Sequence, residues 1–266
     1  MCPPNRKPKG DNYKGIRYHA QCGKYKGVIC VEYLLSGAEL DELGERMVRD
    51  YLNGREAKSV NIEDFVSSYL GLTIRYETIA ETDEGKIGFI SDGRTPLWVN
   101  RPEGAVQEIF DENTIVIDQY LLNDYEMSRK RFTIAHEVAH YLLGKFNPAE
   151  TMAEFCWEYD SDRTYAMEDL SERLNLTEWQ ANNLAAAILM PRFLLEKALE
   201  KWNDGRPIPV CGRSVLPFDS RMKVRGMAER LGVSHTALMI QLRKYKLVEQ
   251  RDLGEFIRSC VKVGGV

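Results

Sequence analysis

Two histidines one helical turn apart constrain this chain more than any other feature. They stand in His136-Glu137-Val138-Ala139-His140. On a helix, positions i and i+4 lie one turn apart on the same face, so a helical 136–140 lets both imidazoles reach one metal ion. Glu137, between them, is placed to move a proton beside that metal. The H-E-x-x-H spacing is the zinc-hydrolase pattern, and it names metal-assisted hydrolysis as the chemistry.

Such a pattern also arises by chance on amphipathic helices, and a catalytic zinc centre needs a third protein ligand with one position left open. The other two of the four histidines, His19 and His235, lie far along the chain. The extended form H-E-x-x-H-x-x-G-x-x-H is excluded, because Leu143 and Phe146 occupy its glycine and histidine positions. A carboxylate on a later helix is the alternative, and Glu178 is the best candidate. Alone, it reads as a solvated carboxylate at a helix start, favoured there by the helix dipole. In context it precedes Ala181, Ala185 and Leu189, which can form a smooth seam against the motif helix. Asn182, at i+4 from Glu178, shares its face and can hold a histidine N–H.

The run Arg131-Phe132-Thr133-Ile134-Ala135-His136-Glu137-Val138-Ala139-His140-Tyr141-Leu142-Leu143-Gly144, followed by Glu178 to Pro191, resembles the ImmA/IrrE family of bacterial and phage zinc metallopeptidases. That family carries an R-F-T-x-A-H-E-x-x-H-x-x-L helix and an E-x-x-A-N-x-x-A-x-x-L-L-M-P helix. Ile188 replaces the usual leucine and Leu184 stands where phenylalanine is common; both changes are conservative. The resemblance extends over about residues 37 to 248. It implies Zn2+ held by His136, His140 and Glu178, with Glu137 as general base and Asn182 supporting a ligand. It also implies an endopeptidase acting on a partner protein, a helix-turn-helix transcriptional repressor whose cleavage derepresses mobile-element or stress-response genes. The alternative is a zinc-containing regulatory or toxin–antitoxin module that binds a repressor or DNA without proteolysis. Hydrolysis of a non-peptide amide is a third reading, because the motif fixes the chemistry more firmly than the substrate. For the oxyanion donor, Tyr141, Tyr120 and His235 are candidates.

Hydrophobic periodicity arranges the rest. Residues 1–36 form a basic extension ending in a strand-like run at Val28–Val31. Leu40, Leu43, Met47, Val48 and Tyr51 recur at helical spacing from Ser36 to Asn53-Gly54. A second helix starts at Asn61 and ends before Gly71. Strands follow at 72–76, 86–90, 97–100 and 114–117, with Asp92-Gly93 as a tight-turn signal. Ser128 is a candidate cap for the motif helix, with its end near Gly144. The acidic, aromatic stretch 147–169 reads as a surface connection. A helix over about 177–190 is broken at Pro191, and another continues to about Trp202. Residues 204–220, with three prolines, read as loop. The expected class is α+β, a zincin-like helical core with a small, mostly antiparallel sheet and a C-terminal helix-turn-helix-like segment. The divisions are 1–36, a metallopeptidase domain over 37–202, and 203–266.

That last segment places Met227–Leu231, Gly232 and a Ser234-capped helix in helix-turn-helix order. Arg221, Lys223, Arg225, Arg230, Arg243, Lys244 and Lys246 make it locally basic. The family commonly has V-S-x-x-A-L-x-x-R-L here, and Gln241 departs from its arginine. The net charge of −4 gives no global polycation, which favours a structural or substrate-docking role over direct DNA binding.

The six cysteines form no C-x-x-C pair and read as reduced cytosolic thiols. His19, Cys22 and Cys30 could hold a second metal, but their spacing fits no common zinc framework. Without a signal core or an apolar run of roughly 18 residues, a cytoplasmic protein with no membrane partner is expected.

Overall fold

The computed structural model describes residues 19–25, 28–82, 85–146, 155–156, 176–254 and 256–258, with the side chains of 19–34, 146 and 155–156 outside the description. The candidate second metal group at His19, Cys22 and Cys30 therefore lies outside the described side chains, as does most of the 147–169 connection.

The extension contains more structure than a single strand-like run. Strands β1 (His19–Tyr25) and β2 (Val28–Leu34) pair antiparallel as a hairpin. Helix α1 (Gly37–Leu52) begins at a reciprocal cap: Ser36 Oγ accepts from the Glu39 N–H, and Glu39 accepts from the Ser36 N–H at 2.8 Å. It ends at Asn53, in the left-handed conformation (φ 44°). Its apolar stripe, Leu40, Leu43, Met47, Val48 and Tyr51, is buried as the spacing requires. Helix α2 (Ile62–Asp64) is capped by Asn61 and widens into a π turn at Phe65–Tyr69.

The sheet is small and mostly antiparallel, as expected, and differs from the strand-by-strand reading in two details. Strands β3 (Thr73–Glu77), β4 (Gly88–Ile90), β7 (Thr114–Asp118) and β8 (Phe155–Cys156) form one sheet in the order β3-β7-β4-β8, and the β3–β7 pair is parallel. Strand β5 (Leu97–Arg101) instead pairs with β6 (Gly104–Glu108), a strand absent from the periodicity reading because it is largely exposed and weakly apolar. β7 explains the arrangement. Thr114-Ile115-Val116-Ile117 is a continuous buried run, the signature of a strand covered on both faces. Ile115 and Ile117 join the main core, while Val116 joins a smaller cluster with Phe89, Leu97, Val99 and Phe110. The Asp92-Gly93 turn forms, with Asp92 Oδ1 accepting from the N–H groups of Arg94 and Thr95.

Helix α3 (Met127–Phe146) carries the histidine pair. Ser128 lies inside its first turn rather than capping it: two 3-10 turns, Gln119–Leu122 and Asp124–Glu126, lead straight into the helix. Gly144 does not stop it either; a glycine within an otherwise well-packed helix costs only about 1 kcal/mol. Helix α4 (Leu176–Leu189) lies between α3 and α1. Pro191 then opens α5 (Arg192–Asn203). The proline-containing stretch holds strand β9 (Ile208–Cys211), parallel to β10 (Val248–Arg251). Helix α6 (Phe218–Leu231) ends at Gly232 (φ 68°), and α7 (His235–Lys244) starts under the Ser234 cap. Val224, Met227, Leu231, Leu238 and Leu242 enter the same core as α3 and α4. Among the described residues no helix is long and apolar enough to cross a membrane.

The approach of α1 to α4 depends on Gly44. A Cβ there would stand 2.7 Å from Ala187 Cβ and 3.0 Å from its carbonyl carbon, and backbone cannot swing aside. Overpacking of this kind costs about 1–3 kcal/mol. Gly44→Val is expected to lower Tm by roughly 2–4 °C per kcal/mol; an unchanged melting curve would show that the helices can separate freely.

Candidate metal centre

Helix α3 presents His136 and His140 on the side facing α4, and α4 answers with Glu178 and Asn182 from successive turns. Small residues permit this approach: Ala135 and Ala139 on α3, Ala181 and Ala185 on α4, all fully buried. The result is a compact group. His136 Nε2 is 3.2 Å from Glu178 Oε2, His140 Nε2 is 3.1 Å from Glu178 Oε1, and the two Nε2 atoms are 2.8 Å apart. One ligand atom from each of the three residues lies within 4.8 Å of the others.

Asn182 settles the tautomer of one ring. Its Oδ1 lies 3.0 Å from His136 Nδ1 and accepts that N–H, which leaves the Nε2 lone pair directed into the cluster. Two imidazole nitrogens and a carboxylate then converge on one point. Crowding donors together in this way is unfavourable unless a cation lies among them, and this donor set suits a divalent metal. The residues fit the ion that the motif implies. Without a metal, burial raises the Glu178 pKa, and hydrogen bonds and charge from His136 and His140 in their protonated forms outweigh it and hold the carboxyl well below its usual range; a metal ion would take the place of those protons.

Glu137, one residue on from His136, is fully buried at 0% exposure; His136 is 2% and His140 8% exposed. The candidate oxyanion donors have other neighbours. Arg129 stacks over the Tyr120 ring at 5.7 Å and Lys145 over the Tyr141 ring at 4.4 Å. His235 opens α7, where burial and the charge of Arg221 lower its pKa.

Two supporting residues carry roles that no motif announced. Gln180 Oε1 accepts the Leu35 N–H at 2.8 Å, tying the start of α1 to α4. Arg131 bonds the carbonyls of Val60, Leu231 and Gly232. A buried glutamine amid alanines was the only available signal for the first. For the second it was a charged residue just ahead of the apolar motif face.

Fold and site together define a two-histidine, one-carboxylate centre held between two packed helices of an α+β protein. The chain belongs to the Peptidase_M78 family, described as the IrrE N-terminal-like domain, whose profile matches residues 68–242. Helix α1 lies before the matched region. A solved structure of a Mycobacterium tuberculosis transcriptional regulator is similar at 15% identity and a TM-score of 0.40, the match covering 77% of this chain and 55% of that one. The chain thus spans little more than half the length of that regulator. No curated protein matches.

Proposed function

We propose that this chain is a cytoplasmic zinc-dependent endopeptidase with a zincin-like core, and that it cleaves a helix-turn-helix transcriptional repressor, derepressing mobile-element or stress-response genes. The convergence of His136, His140 and Glu178, with His136 oriented by Asn182, carries the reading. Zinc at this position would polarise a peptide carbonyl and bring the pKa of a water toward 7. The chain's own residues supply the rest. His136, His140 and Glu178 hold the ion, and Asn182 Oδ1 keeps the His136 N–H on the far side of the ring. The Glu137 carboxylate takes a proton from the attacking water and returns it to the leaving nitrogen.

The helix-turn-helix-like α6–α7 pair fits a docking or structural role better than direct DNA contact. Lys244 is bound to Asp41 and Asn183, Lys223 to Asp219 and Asn203, and Arg225 to Glu229. Leu238, Met239, Gln241 and Leu242 are buried, so much of α7 faces the core. The complete burial of Glu137 favours a second reading, a metal-containing module that binds its partner without cutting it.

Incubation of the zinc-loaded protein with the repressor encoded nearest its gene, read by intact mass, separates the two. Two fragments whose appearance is blocked by chelation are expected; an intact repressor bound at about one zinc per chain would put the non-cleaving module ahead. Loss of the orienting oxygen should weaken the metal site rather than remove it. Asn182→Ala is expected to lower zinc affinity by about 10–100-fold, measured by chelator competition. Unchanged affinity would show that the His136 orientation is set elsewhere.

A further inference from the structure

Glu178 stands in the first turn of α4, the part of a helix whose N–H groups lack partners within it and which frays most readily. Its two oxygens nevertheless meet His140 and His136 at 3.1 and 3.2 Å. Supports reach that turn from the one that follows. Asn183 Nδ2 donates to the carbonyl of Trp179, the residue next to Glu178, at 2.8 Å. Asn183 Oδ1 accepts from Lys244 Nζ at 3.1 Å, and the same ammonium donates to Asp41 Oδ1 at 2.6 Å. Lys244 closes α7 and Asp41 lies on α1, so one cation joins both helices to α4.

From this chain of contacts we infer that Lys244 is a positioning residue for the metal centre: through Asn183 it holds the first turn of α4 where Glu178 can meet His136 and His140. Three physical points support it. Asparagine is a poorer helix former than alanine, because its side chain competes for backbone groups, yet Asn182-Asn183 stands within an alanine-rich helix. The His136 contact accounts for Asn182, and the Lys244 contact accounts for Asn183. Second, an ammonium that only held α7 against α1 would need Asp41 alone; the Asn183 oxygen brings in the ligand-bearing helix. Third, the side chains of Lys244 and Asp41 are only 26% and 18% exposed, so water and salt screen this pair less than a surface bridge. The C-terminal segment then completes the centre without contributing a ligand. The inference rests on the metal-ligand reading of His136, His140 and Glu178, and not on peptidase activity.

Lys244→Met keeps the aliphatic stem and removes the donors. Asn183→Ala removes the relay and, as a better helix former, tests the same link should Lys244→Met fail to fold. Zinc affinity of the full chain, of both variants and of the double variant is measured by chelator competition. Visible absorption of the Co(II)-substituted proteins reports the number and arrangement of ligands. Each single variant should bind zinc about 3–10-fold more weakly, less than the ~10–100-fold for losing a group that touches a ligand directly. The double variant should be no weaker than the weaker single one, because the two residues act as one unit. The cobalt band should lose intensity in all three. Wild-type affinity and spectrum in both single variants, however far the melting temperature falls, would reduce Lys244 to a structural clamp and overturn the proposal. Losses that add in the double variant would break the link between Lys244 and Asn183, with the same result. A wild-type chain that binds no zinc would instead overturn the metal reading itself, and the proposal with it.

Discussion

Glu137→Gln should abolish cleavage while leaving zinc bound. Glutamine keeps the shape of the side chain but cannot accept a proton at neutral pH, and loss of a positioned acid–base group costs about 10²–10⁴ in rate. The ligands are untouched, so metal content should stay near one zinc per chain, whereas His140→Ala should lose it. Stability gives an independent readout. Glu137 is fully buried, and holding a carboxylate away from water is costly. The neutral amide should leave Tm unchanged or raise it, the usual sign of a residue kept for activity at the expense of stability. Near-wild-type turnover in the variant would remove Glu137 as the base. Equal inactivity in variant and wild type, with zinc in both, would favour the non-cleaving module.

The centre was legible because helix geometry converts spacing into position. Two histidines at i and i+4, and Glu178 with Asn182 at i and i+4 on another helix, can each face one way only. The small residues of both helices then let the faces meet. The sheet was harder to read. Whether β3 pairs parallel or antiparallel to β7 depends on contacts distant in sequence, and β6, with Gly104-Ala105-Val106-Gln107-Glu108 mostly exposed, has little apolar alternation to reveal it. Pro207 and Pro209 read as loop formers, yet β9 tolerates Pro209 because β9 and β10 form only a two-stranded sheet, in which a strand residue need not donate its N–H to the ladder. Ser128 carries a cap's chemistry without the position, since the preceding 3-10 turns already satisfy the entry to α3.

Arg131 shows the same limit from the other side: its identity was visible in the motif run, but its partners were about 70 and 100 residues away. Nε donates to the Gly232 carbonyl at 2.9 Å, and Nη2 donates to Val60 at 2.7 Å and Leu231 at 3.3 Å. The cation thus sits at the C-terminal end of α6, where the helix dipole and the last carbonyls favour positive charge. It also joins three pieces of chain: the approach to α2, the α6–α7 turn and the motif helix. Burial lowers its pKa, which Glu63 partly offsets, so the site tolerates the charge because the carbonyls surround it. Hydrogen bonds to a charged group contribute about 1.5–3 kcal/mol each, and orphaned buried carbonyls add their own cost. Since shared networks are not additive, Arg131→Ala should cost about 3–5 kcal/mol in total, the range for removing one partner of a buried charged contact. Arg131→Lys should recover little, because an ammonium cannot span three carbonyls with one planar fork. Urea unfolding of both variants provides the measurement. A midpoint within error of wild type for Arg131→Ala would show that α6 and α7 are held by apolar packing alone. A large loss for Arg131→Ala that Arg131→Lys restores would show that charge, rather than the geometry of the fork, secures the C-terminal helices to the helix bearing His136 and His140.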